Sequence, residues 1–333
     1  MSARRYDVLG LGNAIVDVIS RADDDFLIAQ GLRKGGMTLI DEARAEQLYA
    51  AMGPATIISG GSAANTIIGL ASLGGKGAFI GKVRADELGH LFAHDIRAAK
   101  VCFSTAPAAA GTASARCLIV VTPDGQRTMS TFLGACQELT EADVDEELVK
   151  DSAVTYLEGY LWDPPAAKAA FVKASKIARA AGREVALSLS DSFCVDRYRN
   201  EFLHLIRSRS VHIVFANESE LHSLYETSDF ATALAQLRQE GIIGVVTRSE
   251  QGCVIVTRDE VLTAPAFPVE EVVDTTGAGD LFAAGFLAGY TKGRDLVACA
   301  NLGALAAAEI IQHIGARPQK DLRQLSEQNG LGT

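Results

Sequence analysis

The chain has 333 residues, 48% of them apolar, which is enough for one large α/β domain or two ordinary ones with a sizeable core. The formal net charge of −10 argues against a nucleic-acid surface, which needs clustered Lys and Arg. No apolar run reaches the length of a membrane span, and the N-terminal residues lack an apolar signal segment. The six cysteines show no metal-ligand spacing, so we expect reduced thiols in a cytoplasmic protein.

Short β-rich runs alternate with helical patterns along most of the chain. The predicted strands are 6–11, 57–59, 77–80, 154–157, 185–189, 213–216 and 243–247, and the clearest helical patterns are 62–73, 89–99, 166–181, 218–225 and 231–239. This alternation predicts βαβ units and an α/β fold with a mainly parallel sheet covered on both faces. Ligands of such sheets bind beyond the carboxyl ends of the strands.

Two segments, 17–40 and 105–133, interrupt the alternation and show no clear helix. The second contains two β runs joined by Pro123-Asp124-Gly125, which predicts a hairpin. We interpret the two segments as one small β lid. The α/β core then consists of residues 1–16, 41–104 and 134–333. A later hairpin at 253–264 is predicted at the edge of the main sheet.

The most informative motif is Asp274-Thr275-Thr276-Gly277-Ala278-Gly279-Asp280, which is followed by an apolar helical pattern. The first N–H groups of a helix lack partners and lie at the positive end of its dipole, and glycines let an anion approach them. The motif therefore predicts a phosphate-binding turn with Asp280 as a proton acceptor at its rim. The structural alternative is a helix start capped by Asp274 or Thr276.

Two further motifs suit a polyhydroxy ligand. In Gly60-Gly61-Ser62-Ala63-Ala64-Asn65, the glycines allow close approach of the backbone, and Asn65 offers a donor and an acceptor to vicinal hydroxyls. Asp17 lies near the end of the first predicted strand, beside Asn13, and its carboxylate can accept from two hydroxyls. The alternatives are a turn capped by Ser62 and a surface aspartate.

Asn217 and Glu220 lie one helical turn apart. A carboxylate in such a pair can hold a water of a bound Mg²⁺, which keeps several of its waters. The pair also fits a helix start capped by Asn217, and both interpretations can hold together.

These motifs, together with Gly12-Asn13-Ala14-Ile15-Val16-Asp17, resemble in order and spacing those of the ribokinase-like (PfkB) carbohydrate kinases. The resemblance spans residues 7 to 317 and is greatest to the adenosine kinases. It implies a ribokinase-like three-layer fold with a β lid, and phosphoryl transfer from ATP that depends on Mg²⁺ and, as a further expectation, on a monovalent cation such as K⁺. The implied partners are a nucleoside or sugar and ATP, with no nucleic acid and no membrane, and the expected state is a monomer or homodimer.

The resemblance also assigns roles. Asp280 is the base, the N–H groups of Gly277, Ala278 and Gly279 bind the phosphoryl oxygens, and Arg127 of the lid reaches the transferring phosphate, unless it is a solvated strand arginine. The predicted ribose contacts are Asn13, Asp17, Gly60, Gly61 and Asn65. The predicted ATP contacts are Asn217, Thr247, Gly252, Thr276, Ala304 and Gly315, with Asn217 and Glu220 organising Mg²⁺. Ala304 departs from the histidine that is common in the family.

An apolar slot for a base is predicted from Ile15, Leu39, Leu133, Ala135, Leu161 and Phe193, although each also fits ordinary core. With this slot, the resemblance favours phosphorylation of the 5′-hydroxyl of a ribonucleoside, adenosine above others. A free-sugar kinase for ribose or fructose and a non-enzymatic nucleotide-sensing module remain the alternatives. Asp280 argues against the second, because a pure binder needs no base there.

Overall fold

The computed structural model describes residues 4–332 of the chain. The strands are β1 Tyr6–Leu11, β2 Ile15–Arg21, β3 Met37–Leu39, β4 Ala55–Gly60, β5 Gly77–Ile80, β6 Cys102–Phe103, β7 Ala115–Val121, β8 Arg127–Phe132, β9 Ser152–Glu158, β10 Glu184–Ser188, β11 Ile213–Asn217, β12 Ile243–Thr247, β13 Cys253–Val256 and β14 Val261–Ala264. The helices are α1 Asp24–Ala29, α2 Glu42–Ala51, α3 Ser62–Ser72, α4 Glu87–Ala98, α5 Glu146–Lys150, α6 Pro165–Ala180, α7 Ser192–Arg207, α8 Glu218–Tyr225, α9 Phe230–Glu240, α10 Ala278–Thr291, α11 Leu296–Ile310 and α12 Leu322–Gln328.

Nine strands form the main sheet in the order β14-β13-β12-β11-β10-β9-β1-β5-β6. All neighbours pair in parallel except β12–β13 and β13–β14, which are antiparallel. The central strand β9 is buried along its whole length, as expected where helices cover both faces. The predicted α/β class, the mainly parallel sheet and the late hairpin at its edge are confirmed.

Helices bury a separate apolar layer on each face of this sheet. On one face, Phe79 and Val8 of the sheet pack with Phe286 of α10 and Leu302 of α11. On the other face, Leu157 and Leu187 pack with Phe171 of α6 and Phe202 of α7. The two clusters give a helix–sheet–helix arrangement. The carboxyl ends of its parallel strands all lie on the same side of the domain.

Five strands form a second sheet in the order β3-β8-β7-β2-β4. One face carries Val18, Leu118 and Phe132, which pack against Leu48 and Ala45 of α2. Alternate residues of β2, β7 and β8 carry a smaller apolar cluster on the opposite face, where Ile15, Cys117, Ile119 and Met129 face a cavity above the main sheet. The sheet therefore covers the carboxyl ends of the main strands.

The membership of this sheet differs from the predicted lid boundaries. β4 pairs antiparallel with β2, although residues 41–104 were assigned to the core. The boundary was misplaced because the apolar run Ile57-Ile58 does not indicate which of the two sheets it joins. Asp17 lies within β2 and not at the end of β1. Helix α1 also falls inside segment 17–40; its signal was Asp23, whose side chain accepts from Phe26 N. The division into a core and a lid domain stays a prediction.

Among residues 4–332, no helix combines the length and the apolar character that crossing a membrane requires. All six cysteines are free thiols, and five of them are buried.

The close crossing of α10 and α11 gives a testable constraint on stability. A Cβ atom built on Gly285 would lie 2.4 Å from the backbone oxygen of Leu302, which cannot move aside as a side chain can. We expect Gly285→Ala to destabilise the fold by roughly 1–3 kcal/mol, the usual cost of overpacking. Gly53→Ala is the control, because a Cβ there meets nothing within 4 Å. Denaturant unfolding measures both, and equal stability of the two variants would contradict the packing argument.

Candidate active site

A cavity of about 890 Å³ lies between the second sheet and the carboxyl ends of the main strands. Its polar lining includes Asn13, Asp17, Asn65, Glu158 and Asp280, which come from five different elements or loops. A second pocket of about 490 Å³ shares Asn217 and Thr247 with it and continues along residues 248–251. The chain thus forms two adjoining spaces, one under the smaller sheet and one at its side.

The turn before α10 has the geometry of an anion site. Gly277 caps the helix at φ +79°, and a Cβ there would lie 2.7 Å from the Cβ of Ala316, so a glycine is required. A Cβ on Gly279 would meet nothing within 4 Å, so the helix start is open toward the cavity. No side chain caps the helix, so the predicted alternative with Asp274 or Thr276 as the cap is wrong.

The N–H groups of this turn are not equally available. Ala278 N donates to Thr275 O at 3.2 Å, a turn hydrogen bond that the sequence did not reveal. Within residues 4–332, the N–H groups of Gly277 and Gly279 have no protein acceptor. Of the three predicted N–H donors, two are therefore unpaired and the third is already engaged; within residues 4–332 the N–H of Asp280 also has no protein acceptor.

Asp280 lies at the third position of α10, and its carboxylate turns away from its own helix. Oδ1 accepts from the Ser62 hydroxyl at 2.5 Å, and Oδ2 accepts from Asn65 Nδ2 at 2.8 Å. Burial raises the pKa of Asp280, while these two hydrogen bonds and the charge of Arg317 oppose the rise. Ser62 was predicted only as a cap; no side-chain cap forms at α3, and its hydroxyl instead orients Asp280.

Asp17 faces the same cavity without a partner. Among the described residues its carboxylate accepts no hydrogen bond, and burial raises its pKa to about 6 against the opposing charges of Arg317 and Arg127. Gly60 does not line the cavity but allows this placement, because a Cβ there would lie 2.5 Å from Asp17 Oδ2. An acceptor-only group in this state favours a ligand with hydroxyl donors.

Asn13 is fixed by Glu158, a residue that the sequence analysis missed. The Asn13 side chain donates to Glu158 Oε1 at 2.7 Å, and the backbone N–H of Ala63 donates to Oε2 at 2.8 Å. Glu158 is 1% exposed, and burial raises its pKa to about 7. Its signal was a lone carboxylate at the end of the buried strand β9. Gly61, at φ +96°, completes the turn, since a Cβ there would meet Asn13 O at 2.2 Å.

Arg127 connects the smaller sheet to the anion turn. Its guanidinium donates to Asp274 and, at 2.6 Å, to the hydroxyl of Thr276. Only 8% of its side chain is exposed, so the alternative of a solvated strand arginine is wrong. Its Nε and Nη2 atoms are buried without a partner, which leaves N–H donors beside the turn.

Asn217 and Glu220 form a capping box at the start of α8. Glu220 accepts from Asn217 N at 3.0 Å and from its Nδ2 at 2.6 Å, while Asn217 Oδ1 accepts from Glu220 N at 2.9 Å. Burial raises the pKa of Glu220 to about 7, and both side chains also line the cavity. Residues 4–332 contain no group of three or more His, Cys, Asp or Glu arranged to hold a metal directly.

The predicted apolar slot is partly correct in position. Ile15, Leu39, Leu133 and Phe193 line the cavity, and Phe193 is 73% exposed. Ala135 and Leu161 do not reach the cavity, because both side chains are buried in the protein interior.

Tyr160 lines the cavity where Leu161 was predicted to do so, since the 3₁₀ turn at 159–162 directs the tyrosine outward and the leucine inward. The sequence does not reveal that orientation. Cys117, Ile119 and Met129, also missed, extend the apolar wall on the lid side; their alternation along two strands was the available signal.

Some of the predicted ATP contacts line the two spaces and others do not. Thr247 and Thr276 line the main cavity, and Thr247 also lines the adjoining pocket. Gly252, Ala304 and Gly315 line neither space. Gly252 packs against the backbone of β14, Ala304 is buried within α11, and Gly315 N donates to Asp274 Oδ2 at 2.9 Å.

Comparison with known proteins supports one family. The model of the pfkB family carbohydrate kinases matches residues 41–322. The structure of adenosine kinase from Sinorhizobium meliloti is 55% identical with a TM-score of 0.92, over 98% of this chain and 99% of the other. A probable sugar kinase protein from Rhizobium etli CFN 42 is also 55% identical, with a TM-score of 0.93 and the same coverage. Adenosine kinase from Saccharomyces cerevisiae is 25% identical over 327 residues, 92% of this chain and 94% of its own length.

The family implies use of ATP and, in general, of a divalent metal. The three-layer architecture with its mainly parallel sheet is the ribokinase-like fold. The chain therefore belongs to the PfkB family of carbohydrate kinases and is a phosphotransferase that acts on an alcohol group.

Proposed function

We propose that this kinase transfers the γ-phosphoryl group of ATP to the 5′-hydroxyl of a ribonucleoside, adenosine above others. The observation that carries the proposal is the mixed lining of one cavity, in which unpaired Asp17 and the Asp280 carboxylate occur together with an apolar wall that includes Tyr160 and Phe193. A ribose suits the carboxylates and a flat base suits the apolar wall. The adenosine kinase from Sinorhizobium meliloti supports this assignment by its name and its 55% identity.

The proposed chemistry follows from the positions of the polar groups. Asp17 accepts from the ribose hydroxyls, and Asp280 accepts the proton of the 5′-hydroxyl as its oxygen bonds to the γ-phosphorus and the bond to ADP breaks. A raised pKa makes Asp280 a stronger base than an exposed aspartate. The N–H groups of Gly277 and Gly279 donate to the oxygens of the phosphoryl group in transfer.

Arg127 and the smaller sheet complete the site. The unpaired Nε and Nη2 of Arg127 lie on the guanidinium that already contacts Thr276 of the turn. Both atoms are buried and Arg127 does not line the cavity, so they would donate to a phosphoryl oxygen only after the guanidinium shifts toward it. The sheet above the cavity excludes water, which would otherwise compete as the acceptor.

The metal enters this scheme through ATP. A divalent metal bound with ATP would offset the phosphate charge, and Asn217 and Glu220, which both line the cavity, would hold its waters. A monovalent cation near Gly315 stays a prediction, which a K⁺ titration of turnover tests. We also place the protein in the cytoplasm, since free thiols suit a reducing compartment. The proposed oligomeric state is a monomer or homodimer.

The free-sugar kinase remains the second candidate, and the similarity to the Rhizobium etli probable sugar kinase supports it. The apolar wall of the cavity distinguishes a nucleoside substrate from a free-sugar substrate. A purine gains several kcal/mol there at roughly 25 cal/mol per Å² of apolar surface buried, whereas a free sugar would present hydroxyls that need partners.

The base is tested by Asp280→Asn. We expect kcat to fall about 10²–10⁴-fold with ATP affinity nearly unchanged, because an amide cannot accept the proton. Asp196→Asn, an exposed position, is the control. Turnover near that of the wild-type protein would rule out Asp280 as the base.

Asp17→Asn gives two opposite effects. The nucleoside KM should rise far more than the ATP KM, because the amide presents one acceptor oxygen in place of two. Stability should rise at pH 7–8 by roughly 1–3 kcal/mol, because a half-buried, desolvated carboxyl with its pKa raised from 3.8 to about 6 destabilises the folded protein once ionised.

The direction of the Asp17 pKa shift determines the pH range in which Asp17→Asn is more stable than the wild-type protein. The cost of the ionised Asp17 is fully present above its folded pKa of about 6 and disappears as the pH falls toward 3.8. Thermal unfolding at pH 4 and pH 8 measures the difference. A variant that loses ATP affinity alone, or gains no stability at pH 8, would contradict the account of Asp17.

The substrate is tested by turnover with adenosine, inosine, ribose and fructose side by side. We expect adenosine to have the highest kcat/KM, and Phe193→Ala to lower it for adenosine while barely changing any activity toward ribose. Ile28→Ala is the control, since Ile28 is 76% exposed and lies outside the cavity. A higher kcat/KM for ribose or fructose would replace the nucleoside assignment with the sugar kinase.

A further inference from the structure

Arg317 is a half-buried cation to which neither the motifs nor the proposed chemistry assign a role. It follows α11, beyond Gly315 and Ala316, and its guanidinium reaches Asn65 of α3 and Ser59 of β4. Nη1 donates to Asn65 Oδ1, and Nη2 donates to the Ser59 hydroxyl at 3.2 Å. Nε is buried without a partner, and within residues 4–332 no carboxylate oxygen lies within 4.0 Å of the guanidinium.

A half-buried guanidinium held by neutral acceptors has no local ion pair to offset its partial desolvation. Its electrostatic partners lie farther away, at Asp17 on β2, Asp280 on α10 and Asp95 on α4. Burial lowers the pKa of Arg317 to about 10, so it remains a cation at neutral pH. One charge therefore acts on both carboxylates of the proposed reaction.

The hydrogen bonds of Asn65 show a second effect. Its oxygen accepts from Arg317, while its amide nitrogen donates to Asp280 Oδ2 at 2.8 Å. A rotated amide would place N–H groups against the guanidinium and an oxygen against the carboxylate, and both contacts are repulsive. Arg317 thus determines which end of Asn65 faces Asp280.

We propose that Arg317 is a positioning residue for phosphoryl transfer: it fixes the Asn65 amide that orients Asp280, and it supplies the positive charge that keeps Asp280 and Asp17 ready as acceptors. The inference rests on the proposed role of Asp280. It extends that role to a residue that touches neither substrate nor the reacting atoms.

Other charged groups near this network also affect its titration. Asp280 is faced by Glu158 of β9, and Asp17 is faced by Arg127 of β8 and by Asp274 of the anion turn. Arg127 does not replace Arg317, because its guanidinium is already bound to Asp274 and Thr276. Loss of Arg317 should therefore leave the two carboxylates harder to ionise.

The test compares Arg317→Met, which removes the charge and the donors, with Arg317→Lys, which keeps the charge but loses the planar pair of N–H donors. We expect Arg317→Met to lower kcat on the order of 10²-fold, as for a misplaced reacting group, with the KM for ATP nearly unchanged. Its acid limb in the kcat–pH profile should move to higher pH. Arg317→Lys should restore the position of that limb while kcat stays below the wild-type value.

Arg323→Met is the matched control, because Arg323 is nearby in sequence, its side chain is 61% exposed and it pairs with Glu327 on the surface. Thermal unfolding and ATP binding show whether each variant is folded. If Arg317→Met does not fold, Arg317→Lys decides: reduced kcat with unchanged KM for ATP supports the inference, and wild-type kcat overturns it. A folded Arg317→Met with wild-type kcat and an unmoved acid limb also overturns it.

The substrate preference of the wild-type protein tests the proposed function independently of the role of Arg317. If it phosphorylates a free sugar and no nucleoside, the substrate assignment fails. The Arg317 comparison is then made with that sugar, since Asp280 would serve the same step.

Discussion

The cavity confines more negative than positive charge away from water, and the site depends on how that charge is balanced. Asp17, Glu158, Glu220, Asp274 and Asp280 are buried or half-buried, and the guanidinium groups set among them belong to Arg127 and Arg317. Buried carboxylates without full compensation are costly, and this cost raises the pKa of four of the five. A magnesium–ATP complex would offset this negative charge, and the hydroxyl donors of a substrate would pair with the carboxylate oxygens.

Asp274 is the exception, and its position explains how the parts of the site are held together. Hydrogen bonds from Gly315 and Thr276 and the charge of Arg127 overcome its burial and lower its pKa. One carboxylate thereby joins the anion turn, the loop after α11 and the smaller sheet. Because Arg127 is the first residue of β8, this ion pair fastens the smaller sheet to the anion turn.

The sequence was sufficient for the parts of the structure that depend on local pattern. Alternating strands and helices predicted the sheet, and the Gly-Ala-Gly turn predicted an open helix start with Asp280 beside the cavity. Glu158, Arg317 and Tyr160 were missed because their roles depend on contacts between residues far apart in the chain: Glu158 holds Asn13, 145 positions away, and Arg317 holds Asn65, 252 positions away. The wrong placement of Ala135 and Leu161 has a similar cause, because an apolar residue type does not reveal which side of a turn faces the core.

The most direct test of this account is a crystal structure of the protein with adenosine, Mg²⁺ and a non-hydrolysable ATP analogue. The account predicts the 5′-oxygen about 3 Å from a carboxylate oxygen of Asp280. It also predicts the ribose hydroxyls on Asp17, the base between Phe193 and the smaller sheet, and the terminal phosphate over Gly277 and Gly279. A nucleoside bound with its 5′-oxygen away from Asp280, or a terminal phosphate placed elsewhere than at the start of α10, would contradict it.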